Sequence, residues 1–145
     1  MTTKDLAHAV KIVLANTYTL YLKTQNYHWH VKGTHFRSLH LLFEEQYQAL
    51  ANAVDEIAER LLAMNEFAPA TFKEFLELTE IQEGDYKKNA HDMVKDLEKD
   101  QDIMIASINK AIKLAQDHHD EGTVTIFGER VAAHEKARWM LLSSL

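Results

Sequence analysis

Apolar residues recur along this chain at the three- and four-residue steps that line one face of a helix, rather than at the two-residue step of a strand. Leu6, Val10, Val13, Leu14, Tyr18 and Tyr21 predict a first long helix over about Thr3 to His30, opened by a capping box in which Thr2 stands three residues before Asp5. Lys32, Gly33 and Thr34 break the pattern. A second helix begins near Phe36 and carries Leu39, Phe43, Leu50, Val54, Ile57 and Leu61 to about Met64, so the first two helices form an antiparallel hairpin. The segment from Asn65 to Asp85 holds the single proline, Pro69, and Gly84; within it Thr71 and Glu74 make another capping box, leading into a short helix through Phe72, Phe75, Leu76 and Leu78. A third long helix runs from about Tyr86 to Gln116, with Met93, Val94, Leu97, Met104, Ile105, Ile108, Ile112 and Ala115 facing inward. Asp117 to Thr123 turns the chain, and a last helix covers about Val124 to Ser144.

A connection of about twenty residues is long for adjacent antiparallel helices, which are mostly joined by two to eight. It is long enough to let the second and third long helices run parallel along a bundle about 40 Å in length. The expectation is therefore an all-α single domain over residues 1–145: two helical hairpins joined by a crossover that carries a short extra helix.

Composition narrows the chemistry. There are no cysteines, so disulfides, thiol nucleophiles and thiolate metal sites are excluded, and any metal must be held by His, Asp or Glu. Acidic residues outnumber basic ones by 22 to 16, a net charge of −6 that disfavours nucleic acid and membrane phosphates unless basic residues are concentrated locally. The amino-terminal residues do not read as a signal peptide and no run is long enough to span a membrane, so a cytoplasmic protein is expected.

Five potential metal ligands stand out: His28 at the end of the first helix, and His40, Glu44, Asp55 and Glu59 on the second. His40 and Glu44 are four residues apart, as are Asp55 and Glu59, so each pair lies on one helix face. With Arg37, Gln48, Ala51 and Ala58 they form a stripe displaced about 110° from the line of Leu39, Leu50 and Ile57, and so do not face the bundle's own centre. Glu44 and Asp55 are eleven residues apart in the sequence, about 16 Å along a helix, too far to share one ion. An antiparallel second copy crossing near Gln48 and Ala51 would set His40 and Glu44 of one chain against Asp55 and Glu59 of the other, twice over by symmetry. The spacing thus predicts a homodimer with two shared sites.

The segments Tyr27-His28-Trp29-His30-Val31-Lys32-Gly33, Ser38-Leu39-His40, Phe43-Glu44-Glu45 and Val54-Asp55-Glu56-Ile57-Ala58-Glu59-Arg60-Leu61 closely resemble the Dps family, the DNA-protecting mini-ferritins of starved cells. The resemblance extends over nearly the whole chain, through Lys73-Glu74-Phe75-Leu76 and on to Glu135-Lys136 and Trp139-Met140-Leu141. It implies a ferritin-like four-helix bundle, assembled from two-fold dimers into a hollow dodecamer. It also implies ferroxidase activity, in which Fe(II) is oxidised to Fe(III), preferentially with hydrogen peroxide, and stored as mineral. His28, His40 and Glu44 of one subunit with Asp55 and Glu59 of its partner would be the ligands. Independently, none of the nine His has a Glu three residues before it, so the internal Glu-x-x-His di-iron site of ordinary ferritin bundles is missing.

The remaining features are assigned plainer roles. His30 lies about 200° around the helix from His28 and reads as a surface or hydrogen-bonded residue, while His8, His35, His91 and His134 look isolated. His118 and His119, among Asp117, Asp120 and Glu121, read as a solvated loop, for which the resemblance suggests an acidic iron-entry pore. Tyr27 and Trp29 adjoin the site in sequence, and the resemblance makes them candidates to absorb stray oxidising equivalents. Trp139, the five Met and most Phe read as core. Strong DNA binding is not expected, since Lys4 is the one basic residue ahead of the main body of the first helix.

Overall fold

The computed structural model describes residues 3–145. Within them the chain forms α1 (Thr3–His30), α2 (Phe36–Ala63), the short α3 (Phe72–Leu78), α4 (Ala90–Asp117) and α5 (Glu121–Leu142). The capping box expected at the start of α1 depends on Thr2, which lies outside the described residues. The one expected within the crossover is half formed: Glu74 N–H donates to the Thr71 hydroxyl at 3.1 Å, but the Glu74 carboxylate accepts from that hydroxyl at 2.9 Å and from Ala70 N–H at 3.3 Å, one residue before the cap.

Caps also explain where the observed boundaries depart from the periodic ones. Asp85 turns the chain by accepting from Lys87 N–H at 2.9 Å, and Asn89 caps α4 by accepting from Asp92 N–H at 2.8 Å, so that helix starts four residues after Tyr86. Asp120 accepts from Thr123 N–H at 3.1 Å and starts α5 at Glu121, ahead of Val124; the helix ends at Leu142 rather than Ser144. Two long helices end in the same way. After α2, Asn65 takes a left-handed conformation (φ 63°), with Asn65 N–H on Leu62 O and Glu66 N–H on Leu61 O. After α4, His119 does so (φ 58°), with His119 N–H on Gln116 O and Asp120 N–H on Ala115 O. Each is a six-residue reversal that satisfies the last carbonyls, usually completed by glycine and here by a polar side chain.

Cross-helix contacts fix the topology. His28 meets His40 and Tyr21 meets Tyr47, so α1 and α2 are antiparallel. Tyr27 meets Asp96 and Lys23 reaches Asp100, so α1 and α4 are antiparallel as well, and α2 and α4 must run parallel as the long crossover allows. The α5 helix returns along α4 and touches α2 only lightly. Val10, Leu14, Leu20, Phe43, Ile57, Leu61, Met93, Leu97, Met104, Ile108, Phe127 and Leu141 fill the space between them. Removing such side chains from water supplies about 1.5 to 3 kcal/mol each.

The core also contains charge. The Lys23 ammonium is buried 2.8 Å from Asp100 and 3.2 Å from Asp96, which accepts from the Tyr27 hydroxyl. Burial pushes Asp100 up to about 6 despite Lys23. Burial would also raise Asp96, but hydrogen bonds from Tyr27 and Lys23 hold it below its ordinary value.

Several expected core residues are not buried in the single chain. Trp139 is 62% exposed, Phe67 87% and Phe72 75%, and Phe36 is also exposed, so of the phenylalanines only Phe43 and Phe127 are fully buried, with Phe75 half-buried. Each of these exposed positions falls on the outer face or beyond the end of its helix, where aromatic identity alone gives no direction. Conversely His134 is not isolated: it is buried between α4 and α5.

Candidate metal centre

The site forms at the hinge between α1 and α2. The turn after α1 passes through Gly33 at φ +113°, a left-handed backbone that side chains rarely adopt, and brings the last turn of α1 against the first of α2. His28 and His40 stack there, ring centroids 3.9 Å apart and 15° from parallel. Each ring grips the other residue's backbone: His28 Nδ1 lies 2.7 Å from His40 O, and His40 Nδ1 lies 2.8 Å from His28 O. A carbonyl oxygen accepts only, so both Nδ1 atoms carry a hydrogen, and in the neutral ring this is the tautomer that leaves Nε2 its lone pair for a metal.

The lone pairs have somewhere to act. His28 Nε2 is 3.9 Å from Glu44 Oε1, within the roughly 4 Å that separates two atoms each about 2.1 Å from one ion. His28 is buried and lies between its two neighbours, His40 and Glu44, which are half-buried. Phe36, four residues before His40, stacks on its outer side at 5.0 Å, and Tyr47 meets His28 edge-on at 5.1 Å. The two rings are thus fixed in tautomer and in orientation.

Asp55 and Glu59 are exposed on the same outward stripe of α2, with Gln48 exposed and Ala51 and Ala58 half-buried between and beside them. The helix is continuous from Phe36 to Ala63, so the rise puts Asp55 about 16 Å from Glu44 along the axis. Among the described residues no group of three or more His, Asp or Glu converges to hold an ion within the single chain. One chain therefore presents the expected ligand set in two separate parts, His28-His40-Glu44 and Asp55-Glu59.

A ferritin-like domain model matches residues 8–145. "DNA protection during starvation protein 2" of Bacillus anthracis is 38% identical over 142 residues, covering 98% of this chain and 97% of the relative. "General stress protein 20U" of Bacillus subtilis is 37% identical over 145 residues, with 98% of each chain covered. This chain belongs to the Dps family of the ferritin-like superfamily. Solved Dps structures share its fold: that from Staphylococcus aureus superposes with a TM-score of 0.96 at 33% identity, covering 99% of this chain and 97% of that one. The Vibrio cholerae Dps, described as a member of a broad superfamily of ferritin-like diiron-carboxylate proteins, gives 0.92 at 31% identity, covering 97% and 88%.

Within this Dps chain, the aromatic residues beside the site differ from those picked out by sequence adjacency. Tyr27 is buried, and its hydroxyl is committed to α4, donating to Asp96 and accepting from Asp85 N–H; burial and Asp96 push its phenol up. Trp29 is 60% exposed. The ring against His28 is Tyr47, three residues after Glu44, which no spacing rule singled out because its neighbour lies across the hairpin. The reciprocal carbonyl grip was equally hidden, since backbone acceptors have no signature in residue type. His30 does lie apart, its Nδ1 on Asn26 O at 2.8 Å.

Among the described residues no helix is long and apolar enough to cross a membrane.

Proposed function

We propose that this protein is a cytoplasmic, single-domain ferroxidase that takes Fe(II) as substrate, oxidises it with hydrogen peroxide in preference to dioxygen, and stores the Fe(III) product inside a hollow dodecamer built from two-fold dimers. His28, His40 and Glu44 of one subunit and Asp55 and Glu59 of its partner are the proposed ligands. The observation that carries this reading is the reciprocal grip of His28 and His40, which turns both Nε2 atoms away from the backbone carbonyls and sets that of His28 3.9 Å from Glu44. Mixed imidazole and carboxylate ligands suit Fe(II). Two ferrous ions would supply the two electrons that, with two protons from solvent, reduce one hydrogen peroxide to two waters and leave two Fe(III), without releasing a hydroxyl radical.

The names of the relatives raise a second reading, protection of DNA by direct contact. Contact with phosphates needs several basic side chains, and the chain's net charge of −6 opposes it. Removing Fe(II) and peroxide together protects DNA without touching it, so both names fit the ferroxidase reading.

Subunit sharing supplies the test. Two variants are prepared, His28→Ala with His40→Ala, and Asp55→Ala with Glu59→Ala, each expected to be inactive. In a mixed dimer one site collects both defects and the other is intact, so co-assembly restores up to about half of the sites in each mixed dimer. The readout is peroxide-dependent Fe(II) oxidation by absorbance, with dissolved oxygen as the slower comparison. Mixed assemblies, verified by mass spectrometry, that recover no activity would rule out the shared site.

A further inference from the structure

One large apolar side chain stands on the ligand stripe of α2. Leu62 follows Glu44 by eighteen residues, about five complete turns, so the two lie on one line along the helix. The rest of the stripe is charged, polar or alanine. Leu62 is 56% exposed and falls well away around the helix from Leu39, Leu50 and Ile57, which fill the bundle.

The other end of the stripe carries a counterpart. Phe36, in the first turn of α2, is 43% exposed and stacks on the His40 ring, centroids 5.0 Å apart and 27° from parallel. Arg37 follows it, also exposed, with an aliphatic stem that can cover apolar surface while its charge stays in water. The helix is continuous from Phe36 to Ala63, so within one chain Phe36 and Leu62 are about 39 Å apart and never meet.

Between two copies they do. The register that sets Glu44 against Asp55 and His40 against Glu59 in an antiparallel pair extends outward, each step along one helix matched by a step back along the other. It brings Leu62 of one subunit opposite Arg37, and beside Phe36, of the other, twice over by symmetry. We propose that the partner subunit's Leu62 packs on Phe36 and the stem of Arg37, an apolar seal over the outer end of each shared site that holds the His40 ring in place and keeps water from it. Excluding water there strengthens the attraction between a bound cation and its carboxylates. Phe36 and Leu62 are thus positioning residues that act through His40. The seal rests on the shared-site reading given under the proposed function.

The chain has no cysteine of its own, so a reactive pair can be introduced without background. Arg37→Cys with Leu62→Cys, in the assembled, iron-free protein treated with a two-carbon bismaleimide, should give covalent dimers on denaturing gels, while either single variant should run as a monomer. Such a linker cannot join the two positions within one chain, where they are about 37 Å apart. The second readout is titration of the iron-free assembly with Co(II), followed by visible absorption. Phe36→Ala and Leu62→Ala should each weaken binding by about tenfold, as for groups that orient a metal ligand, with the number of sites and the helical circular dichroism unchanged. Both together should cost little more than either alone, because they remove one contact, and Leu62→Met, which keeps the volume, should bind like the wild type. Absence of the cross-link, unaltered Co(II) affinity in the single variants, or additive losses would each overturn the seal. Recovery of activity on co-assembly without the cross-link would remove the seal and leave the shared site standing; failure of both would remove the shared site and the seal with it.

Discussion

His134 shows most clearly what a single residue can hide. Nothing in its neighbours along the chain separates it from His8, His35 or His91, which are exposed. Burial, with Arg130 adding to it, pushes its imidazole down to about 3. The unfolded chain therefore takes up a proton near pH 6.5 that the folded chain refuses, and stability falls as pH drops from there toward the folded value. Asp100 acts with the opposite sign: its raised pKa favours the folded state below the ordinary carboxylate range, and that contribution is lost as pH rises through about 6. The two can be separated by substitution. His134→Gln should lose stability at pH 7, and the gap to wild type in urea melts should narrow by on the order of 2 kcal/mol at pH 4.5. A gap of constant size would mean that His134 does not titrate in the fold as its burial dictates. Residue type and spacing single out the five candidate ligands, and the placement of His28 beside His40 and Glu44 is what the structure adds to them. Their preparation was not legible, since Nδ1 protons held by backbone carbonyls and a ring such as Tyr47 from across the hairpin leave no mark on the sequence near them.

At the scale of elements, helical periodicity located all four long helices and the short one, because amphipathic faces repeat over many turns. It missed ends, which are set by single capping side chains. Asp120 is the busiest of these. It completes the reversal after α4, caps α5 through Thr123, and pairs with Arg60 of α2 at 2.7 Å, while Arg60 also donates to the Thr123 hydroxyl at 3.0 Å. Gly122 lies flat beneath that guanidinium, where a Cβ would stand 2.7 Å from it. Burial alone would raise the Asp120 carboxyl, but Thr123 and Arg60 hold it below its ordinary value, so the clasp contributes at neutral pH and is lost on acidification through that lowered value. Asp120→Ala should therefore destabilise by about 1 to 2 kcal/mol, more than Asn89→Ala, which removes a cap alone and should cost about 1 kcal/mol. Thermal melts of the two variants at pH 7 check the order; equal losses would leave the Arg60 pairing without energetic weight.

The whole molecule is best read from what a single chain fails to finish. Trp139 on α5, Phe72 and Leu76 on α3 and Leu62 on α2 are more than half exposed, and the outward stripe of α2 carries the proposed ligand set in two parts. Both are consistent with the proposed dodecamer, whose mass would be twelve times 16.7 kDa, about 200 kDa if the family's cage forms. Light scattering after size exclusion should return that mass, and Trp139→Glu should reduce it while leaving helicity intact. A wild-type monomer would refute the cage and the shared site together. Lys23 adds a consequence inside the bundle. Its ammonium stands where two carboxylates of α4 would otherwise attract a stray divalent ion, and unlike any dissolved cation it is covalently leashed. It cannot be chelated, exchanged or rinsed away. The bundle's interior is in effect permanently salted by its own chain, and a divalent cation arriving there would meet carboxylates already spoken for.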